Sequence, residues 1–406
     1  MRILTVVKDL EKGGTQRAAQ NFCEGYKILG HASRLFAVDH GGIREEELKN
    51  KGIHIYTTHS EDTNTKIKEW NPELVHLHSL DIDPKLVFAL KELLPKAKFV
   101  ETNVFSVLTE YTSVLDRSFQ LSKWCSYLYV SRGGSAEKLR IVPNPIKTQC
   151  FYKASKRDII AFKKTYHLPE DAFVFGRIGQ SYSGKWSLYL IDLFEKFLSE
   201  VSSNAYLLLV NPSKELVDYA ASMSRSAKKV VVIDKIKGDD NLRSCYSSID
   251  LFLHIARQGE SFGMVLAESI LCETPVVTLN TPWADNSQKE VINHNVNGFC
   301  ANSIDEFYSY MKGFYNKTLQ LNELSTLGRK LIIDKYDYTA VAEEAIKALD
   351  DEVIYKTDFA DMLEGSYQNK ADKVLLALLL SVKGRVKNTS KAVNYILMRR
   401  FKVAHR

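Results

Sequence analysis

Short apolar runs recur along this chain at intervals that leave room for one helix between each pair. Residues 3–7, 34–38, 54–56, 74–77, 99–102 and 127–130 form a first series, and 173–176, 205–210, 230–233, 251–255 and 275–279 a second. The runs are rich in Val, Ile, Leu and Phe with little alternation, which predicts strands buried on both faces. Between them apolar residues return at helical spacing, as at Ala18, Ala19, Phe22 and Tyr26, and in residues 188–201 and 262–271. Such alternation predicts doubly wound α/β domains with mostly parallel sheets, whose ligands bind beyond the carboxyl ends of the strands. It breaks at Val142-Pro143-Asn144-Pro145-Ile146, where two prolines disfavour helix and predict a linker. Residues 1–150 and 151–334 therefore read as two Rossmann-like domains, with the natural site in a cleft between them. A helical run over 335–354 carries Tyr338, Val341, Ala342, Ala345, Ile346 and Leu349, and 355–406 is a tail of different character.

Composition narrows the class. The 406 residues are 45% hydrophobic and 26% charged, as in a soluble globular protein. Six scattered cysteines (Cys23, Cys125, Cys150, Cys245, Cys272 and Cys300) show no Cys-x-x-Cys pair, which argues against a zinc site or a disulfide framework and fits a reducing cytosol. The first apolar run is followed at once by charge and is too short for a signal peptide, and no stretch approaches the roughly 20 apolar residues of a membrane span.

The net charge of +6 matters less than its distribution. Val374, Leu378, Val382 and Val386, then Val393, Leu397 and Phe401, fall on nearly one helical face. Lys383, Arg385, Lys387, Lys391, Arg399, Arg400, Lys402 and Arg406 lie between or beyond them, and Asp372 is the last acid. Residues 373–406 thus read as a basic amphipathic helix for an anionic membrane surface. A helix packed on the protein's own body and a partner-binding helix are the alternatives. Nucleic acid fits least, because only Tyr395 and Phe401 offer stacking platforms.

Candidate chemistry collects after the runs of the second series. Gly259-Glu260-Ser261-Phe262-Gly263-Met264-Val265-Leu266-Ala267-Glu268 follows the run at 251–255 and opens a helix, whose free N–H groups suit a phosphate or other anion. With helix assumed through the interval, Glu268 lies about 12 Å along the axis from Glu260, too far for a tight acid/base pair but suited to two ends of one extended ligand. Arg177 and Lys185 flank a Gly/Ser loop after the run at 173–176. Two fixed cations there suit an anion, and would stabilise most a group whose negative charge grows in the transition state. The bland alternatives are a surface acid, a capping acid and two solvated cations. In the first series, Gly13-Gly14-Thr15-Gln16-Arg17 is either a plain strand-to-helix turn or a loop whose glycines take positive φ and let a ligand approach. His76 and His78 share a strand face, and with no Cys, Asp or Glu arranged around them they read as structural polar groups rather than metal ligands. The polar cluster from Trp283 to Gln288 is a helix-capping loop or a ligand contact.

The stretch from Gly259 to Glu268 resembles the donor-site motif of retaining glycosyltransferases of family 4 (glycosyl transferases group 1), which have the GT-B fold. The resemblance continues through Ser269 to Val277, Glu290-Val291-Ile292 and Asn297-Gly298-Phe299, and covers roughly residues 1–350. It implies a sugar transfer with retention from a nucleotide-sugar donor to a glycan or lipid-linked glycan hydroxyl, as in surface polysaccharide assembly of the lipopolysaccharide or O-antigen kind. It also implies an acceptor-side first domain, a donor-binding second domain and a helix at 335–354 that crosses back toward the first. Arg177, Lys185 and Glu260 would be catalytic. Gly13, Gly14, Arg177, Lys185, Glu260, Ser261, Phe262, Gly263 and Glu268 would bind the donor, with Glu260 on sugar hydroxyls and Glu268 on the ribose. Neither cofactor nor metal is expected, nor nucleic acid as a partner, and the location implied is the cytoplasmic face of a membrane. Many family members carry a His where this chain has Asn103-Val104-Phe105. Asn cannot take a proton, so Arg17, Glu101 and Asn103 are expected only as acceptor-side contacts. Another GT-B activity (phosphorolysis or nucleotide-sugar hydrolysis) and a non-catalytic glycan- or partner-binding GT-B protein are the alternatives.

Overall fold

The computed structural model describes residues 1–60, 62–78, 81–282, 284–319 and 322–352; the basic stretch at 373–406 lies outside the described residues. The chain forms two compact units, Met1–Lys147 joined by residues 334–352, and Thr148–Ile333.

The first unit holds β1 (Arg2–Asp9), β2 (Ala32–His40), β3 (His54–Thr57), β4 (Leu74–His78), β5 (Lys98–Asn103), β6 (Arg117–Gln120) and β7 (Leu139–Ile141). All pair in parallel, in the order β3-β2-β1-β4-β5-β6-β7. The second unit holds β8 (Phe173–Ile178), β9 (Ala205–Val210), β10 (Val230–Ile233), β11 (Leu251–His254), β12 (Val276–Leu279) and β13 (Phe299–Ala301), in the order β10-β9-β8-β11-β12-β13. Each sheet reverses direction beside its first strand, and that switch point opens a crevice at the carboxyl ends of the strands. In the second unit it falls between β8 and β11. The core there packs Phe175, Phe194, Phe197, Leu207, Leu209 and Leu253 between sheet and helices.

Two expectations from the sequence need correction. Residues 127–130 are not a strand; they belong to the helix Lys123–Ser131. The run Tyr-Leu-Tyr-Val has strand propensity, but the Ser122 hydroxyl accepts from the Cys125 amide and caps a helix that buries Trp124, Cys125, Leu128 and Tyr129. The short strands β6 and β7 flank this helix in sequence and were not anticipated. The proline segment lies just before the boundary between the units, and residues 142–146 are buried. Val142 N donates to Gln120 O, Ile146 N to Tyr336 O, and the Asn21 amide to Pro145 O. The helical run after 335 is interrupted: one helix ends at Tyr336, Asp337 forms a bridge with Ile146, and its carboxylate caps a new helix, Tyr338–Lys347. That helix packs Val341, Ala342 and Ala345 against Phe22 and Tyr26 of the helix Gly14–Ile28.

Candidate active site

The switch point of the second unit gathers four charged or ionisable side chains. Arg177 lies near the end of β8, and His254 is the last residue of β11, the adjacent strand. The loop after β8 carries Lys185 in a short turn, Ser183–Lys185. The loop after β11 carries Glu260 and runs into the helix Met264–Leu271. Two glycines shape that loop. Gly259 has φ +63°, and a Cβ there would meet the Asp285 carbonyl; Gly263 has φ +99° and stands at the N-cap. Both lie in the left-handed region that favours glycine. The helix starts at Met264, so Glu260 lies in the loop before it. The spacing of Glu260 and Glu268 along one helix axis, expected above, therefore does not hold.

Glu260 is the hub. Its Oε2 accepts from Lys185 Nζ at 2.6 Å, and its Oε1 lies 3.1 Å from His254 Nε2 and 3.8 Å from Arg177 Nη2. Its backbone N–H donates to Gln288 Oε1 at 3.2 Å. Burial works against the charge, but Lys185, His254 and Arg177 outweigh it and hold the carboxyl well below the usual range. His254 is drawn down to about 4, first by burial and then by Arg177. It is neutral at neutral pH, so Nε2 must donate to the carboxylate. Nδ1 then accepts from the Thr278 hydroxyl at 2.8 Å, on the residue paired with His254 across β11 and β12.

Arg177 is enclosed rather than displayed. It is fully buried; Nη1 donates to Ile178 O and Nη2 to Lys185 O, with the Trp186 and Phe252 rings 5.5 and 5.8 Å away. Burial lowers it to about 10, against the pull of Glu260, which leaves it cationic at neutral pH. Its bond to the Lys185 carbonyl fixes the turn that presents the lysine. Lys185 is the partly exposed member, with its side chain 24% accessible. With His254 neutral, the cluster of Arg177, Lys185 and Glu260 carries one net positive charge.

Glu268 sits apart from this hub. It is buried within the helix Met264–Leu271, and its Oε2 accepts from the Tyr246 hydroxyl at 2.8 Å. Phe262 and Gly263 are buried and Ser261 half-buried in the loop. Of the polar cluster at 283–288, Trp283 lies outside the described residues. Asn286 and Gln288 are buried: Asn286 Oδ1 accepts from Thr281 N, and Gln288 Nε2 donates to Leu279 O. Sequence reasoning missed His254 and Tyr246, and it did not single out Gln288 within its cluster.

The remaining expected residues lie in the first unit. Gly13 is extended at φ 173° and Gly14 is the first residue of the helix Gly14–Ile28; neither takes the positive φ anticipated above. Arg17 is half-buried one turn into that helix. Glu101 and Asn103 are fully buried. Glu101 accepts from the Ser118 hydroxyl and the Asn103 amide, and Asn103 exchanges two bonds with Val107. Their polar atoms brace the loop after β5. Burial raises Glu101 to about 7 against the donors Ser118, Asn103 and Thr109. His76 is held between the Tyr26 hydroxyl and Thr102 Oγ1, while His78, equally buried, has both ring nitrogens without a partner. Among the described residues no three His, Cys, Asp or Glu side chains form a metal-binding group, and no helix is long and apolar enough to cross a membrane.

Two Rossmann-like units in tandem, each a parallel sheet with helices between its strands, define the GT-B fold. The comparisons agree. The family described as "Glycosyl transferases group 1" matches residues 158–330, the stretch that contains the whole Glu260 cluster. HepE of Anabaena, solved with UDP and glucose, is similar over 86% of this chain and 100% of its own at 16% identity, with a TM-score of 0.69. A glycosyltransferase of Rickettsia africae is similar over 86% and 97% at 17% identity, TM-score 0.69. WaaG, a glycosyltransferase involved in lipopolysaccharide biosynthesis, is similar over 86% and 99% at 14% identity, TM-score 0.61. Among curated proteins no match is found by sequence.

Proposed function

We propose that this chain is a retaining glycosyltransferase that moves a sugar from a nucleotide-sugar donor to a glycan or lipid-linked glycan hydroxyl in surface polysaccharide assembly. The observation that carries the reading is the buried Glu260 carboxylate, kept ionised by Lys185, His254 and Arg177 at the switch-point crevice of the unit that matches the glycosyl transferase family. Lys185 and Glu260 neutralise each other. A diphosphate competes for the lysine; as Lys185 turns to it, Glu260 Oε2 is released to accept a sugar hydroxyl. Arg177 holds the lysine's turn and adds positive potential, acting as a positioning residue. Glu268, whose Oε2 accepts from the Tyr246 hydroxyl, binds the ribose.

Transfer breaks the bond from the anomeric carbon to the leaving phosphate oxygen. The acceptor oxygen bonds the same face, and its proton passes to the departing phosphate, so no side-chain base is required. Lys185 compensates the charge that develops on that phosphate. The residues at 373–406 would hold the enzyme at an anionic membrane surface, on the cytoplasmic side, near a lipid-linked acceptor.

The test is product stereochemistry. Purified chain is offered a panel of nucleotide sugars with monosaccharide and lipid-linked acceptors, and the product's anomeric coupling is read by NMR. The same configuration as in the donor is expected. An inverted product ends the retention assignment. No transfer, together with no nucleotide binding, ends the transferase reading.

A further inference from the structure

A second polar pocket lies in the first unit, at the opposite ends of the strands from a switch-point crevice. Arg34, His54, Tyr56, Lys66, Glu69 and Trp70 line a depression of about 360 Å³. Arg34 and His54 face each other across β2 and β3, and His54 is the first residue of β3, the edge strand of the sheet. Trp70 ends the helix Thr63–Trp70, which returns the chain to the starting end of β4. Ligands of the fold bind at the other, carboxyl ends of the strands, so this pocket is no part of that crevice.

Its chemistry is specific. The Arg34 guanidinium stacks on the Trp70 ring at 4.5 Å, with the Tyr56 ring 5.8 Å away, and Nη1 donates to the Tyr56 hydroxyl. A guanidinium has five N–H donors in a fixed fork, so this clamp immobilises the group and leaves donors unused. Among the described residues Arg34 forms no ion pair. His54 titrates below its ordinary value, first through partial burial and then through the positive charges of Arg34 and Lys66. Among the described residues that line it, Glu69 is the one acid. Two cations beside one carboxylate suit a ligand that carries both an anionic group and hydroxyls. The volume is at the low end of the roughly 300–1,000 Å³ of small-molecule sites.

We infer that this pocket binds the phosphate or carboxylate of an acidic sugar unit, with Arg34 and Lys66 on the anion and Glu69 on a hydroxyl. The site stands apart from the transfer reaction and does not depend on the reading given above. A preformed, stacked arginine is a bidentate oxyanion partner, and no ordering of that side chain opposes binding.

Calorimetric titration of the full chain with inorganic phosphate, glucuronate and glucose tests it. Saturable binding of phosphate or glucuronate, and none of glucose, is expected. Phosphate alone identifies a phosphoryl ligand and glucuronate alone a uronate, while both identify a general oxyanion site. Lys66→Gln should weaken binding by ~10-fold or more, as loss of a charge-assisted bond does. It sits on an exposed helix face, so it keeps the fold where Arg34→Gln also disturbs the stack on Trp70. In the NMR titration of His54, bound anion should raise its pKa. Three results overturn the proposal: no saturable binding of either anion, equal affinity in Lys66→Gln and wild type, or binding lost in Lys185→Ala while Lys66→Gln retains it, which would place the anion in the second unit.

Discussion

Glu260 holds a charge where burial alone would remove it, and it does so by sharing one carboxylate between a lysine, an arginine and a neutral histidine. Arg177, Lys185 and Glu260 were legible in the sequence because each lies in or beside a Gly/Ser loop after an apolar run. His254 was not. It ends such a run with no local signal, and its role arises because β11 sits between β8 and β12. Arg177 reads from the sequence as one of two fixed cations on an anion; only packing shows that it is buried and that its donors serve backbone carbonyls. The two acids should separate in function. Glu268→Gln should weaken binding of free nucleoside diphosphate. Glu260→Gln should slow transfer while leaving that affinity nearly intact, and titrations giving the reverse order would refute the assignment. The buried ionisable groups also set opposite pH dependences. His254 titrates at about 4 folded against 6.5 unfolded, so the unfolded chain binds the extra proton and stability falls as pH drops through that window. Glu101 titrates at about 7 folded against 4.5 unfolded, so stability falls as pH rises through its window. Each contribution is on the order of 3 kcal/mol. In urea melts between pH 4.5 and 7, His254→Gln should reduce the acid-side loss, to which the buried His76 and His78 also contribute, and Glu101→Gln should reduce the loss toward neutral pH; profiles parallel to wild type in both would contradict these shifts.

At the scale of elements, long runs of Val, Leu and Ile with a helix between them read correctly as parallel strands, because burial on both faces writes itself into composition. The failures came where a short run had two readings. Tyr127–Val130 has strand residues at helical positions, and the Ser122 cap decides for helix. The three- and four-residue strands β7 and β6 are too short for any period to show. The returning helix Tyr338–Lys347 depends on a close approach that the sequence marks with one glycine. A Cβ on Gly25 would lie 2.7 Å from the Tyr338 carbonyl and 2.8 Å from the Ala342 methyl. Gly25→Ala should therefore destabilise the first unit by about 1–3 kcal/mol, despite the better helix propensity of alanine. Thermal unfolding checks it, and an unchanged or raised midpoint would mean that the helix is not seated there.

For the whole molecule, strand order explains why one chain carries two separate Rossmann-like units, and it puts the ionisable cluster of the second at its switch point. The basic stretch at 373–406 follows the last strands of both sheets in the sequence and lies outside the described residues. Its deletion should leave a folded enzyme, active on a short soluble acceptor and impaired on a membrane-embedded one. Full-length protein should sediment with anionic vesicles and be partly released by salt, since the attraction decays over a Debye length of about 8 Å at physiological ionic strength. Equal sedimentation of the full and shortened chains would end the membrane assignment. The central claim, that the Glu260–Lys185 pair is a nucleotide-sugar site, has a more direct test. Thermal shift is measured for wild type and Lys185→Ala across UDP- and GDP-sugars. A ligand that binds only the native state stabilises it by RT ln(1 + [L]/Kd), about 2.7 kcal/mol at a hundredfold excess over Kd. The expected result is a clear rise for at least one nucleotide sugar in wild type, its loss in Lys185→Ala, and turnover lower by at least ~100-fold in the variant, comparable to removing one preorganised electrostatic donor. An equal shift and equal turnover in both proteins, or no shift with any nucleotide sugar, would contradict it.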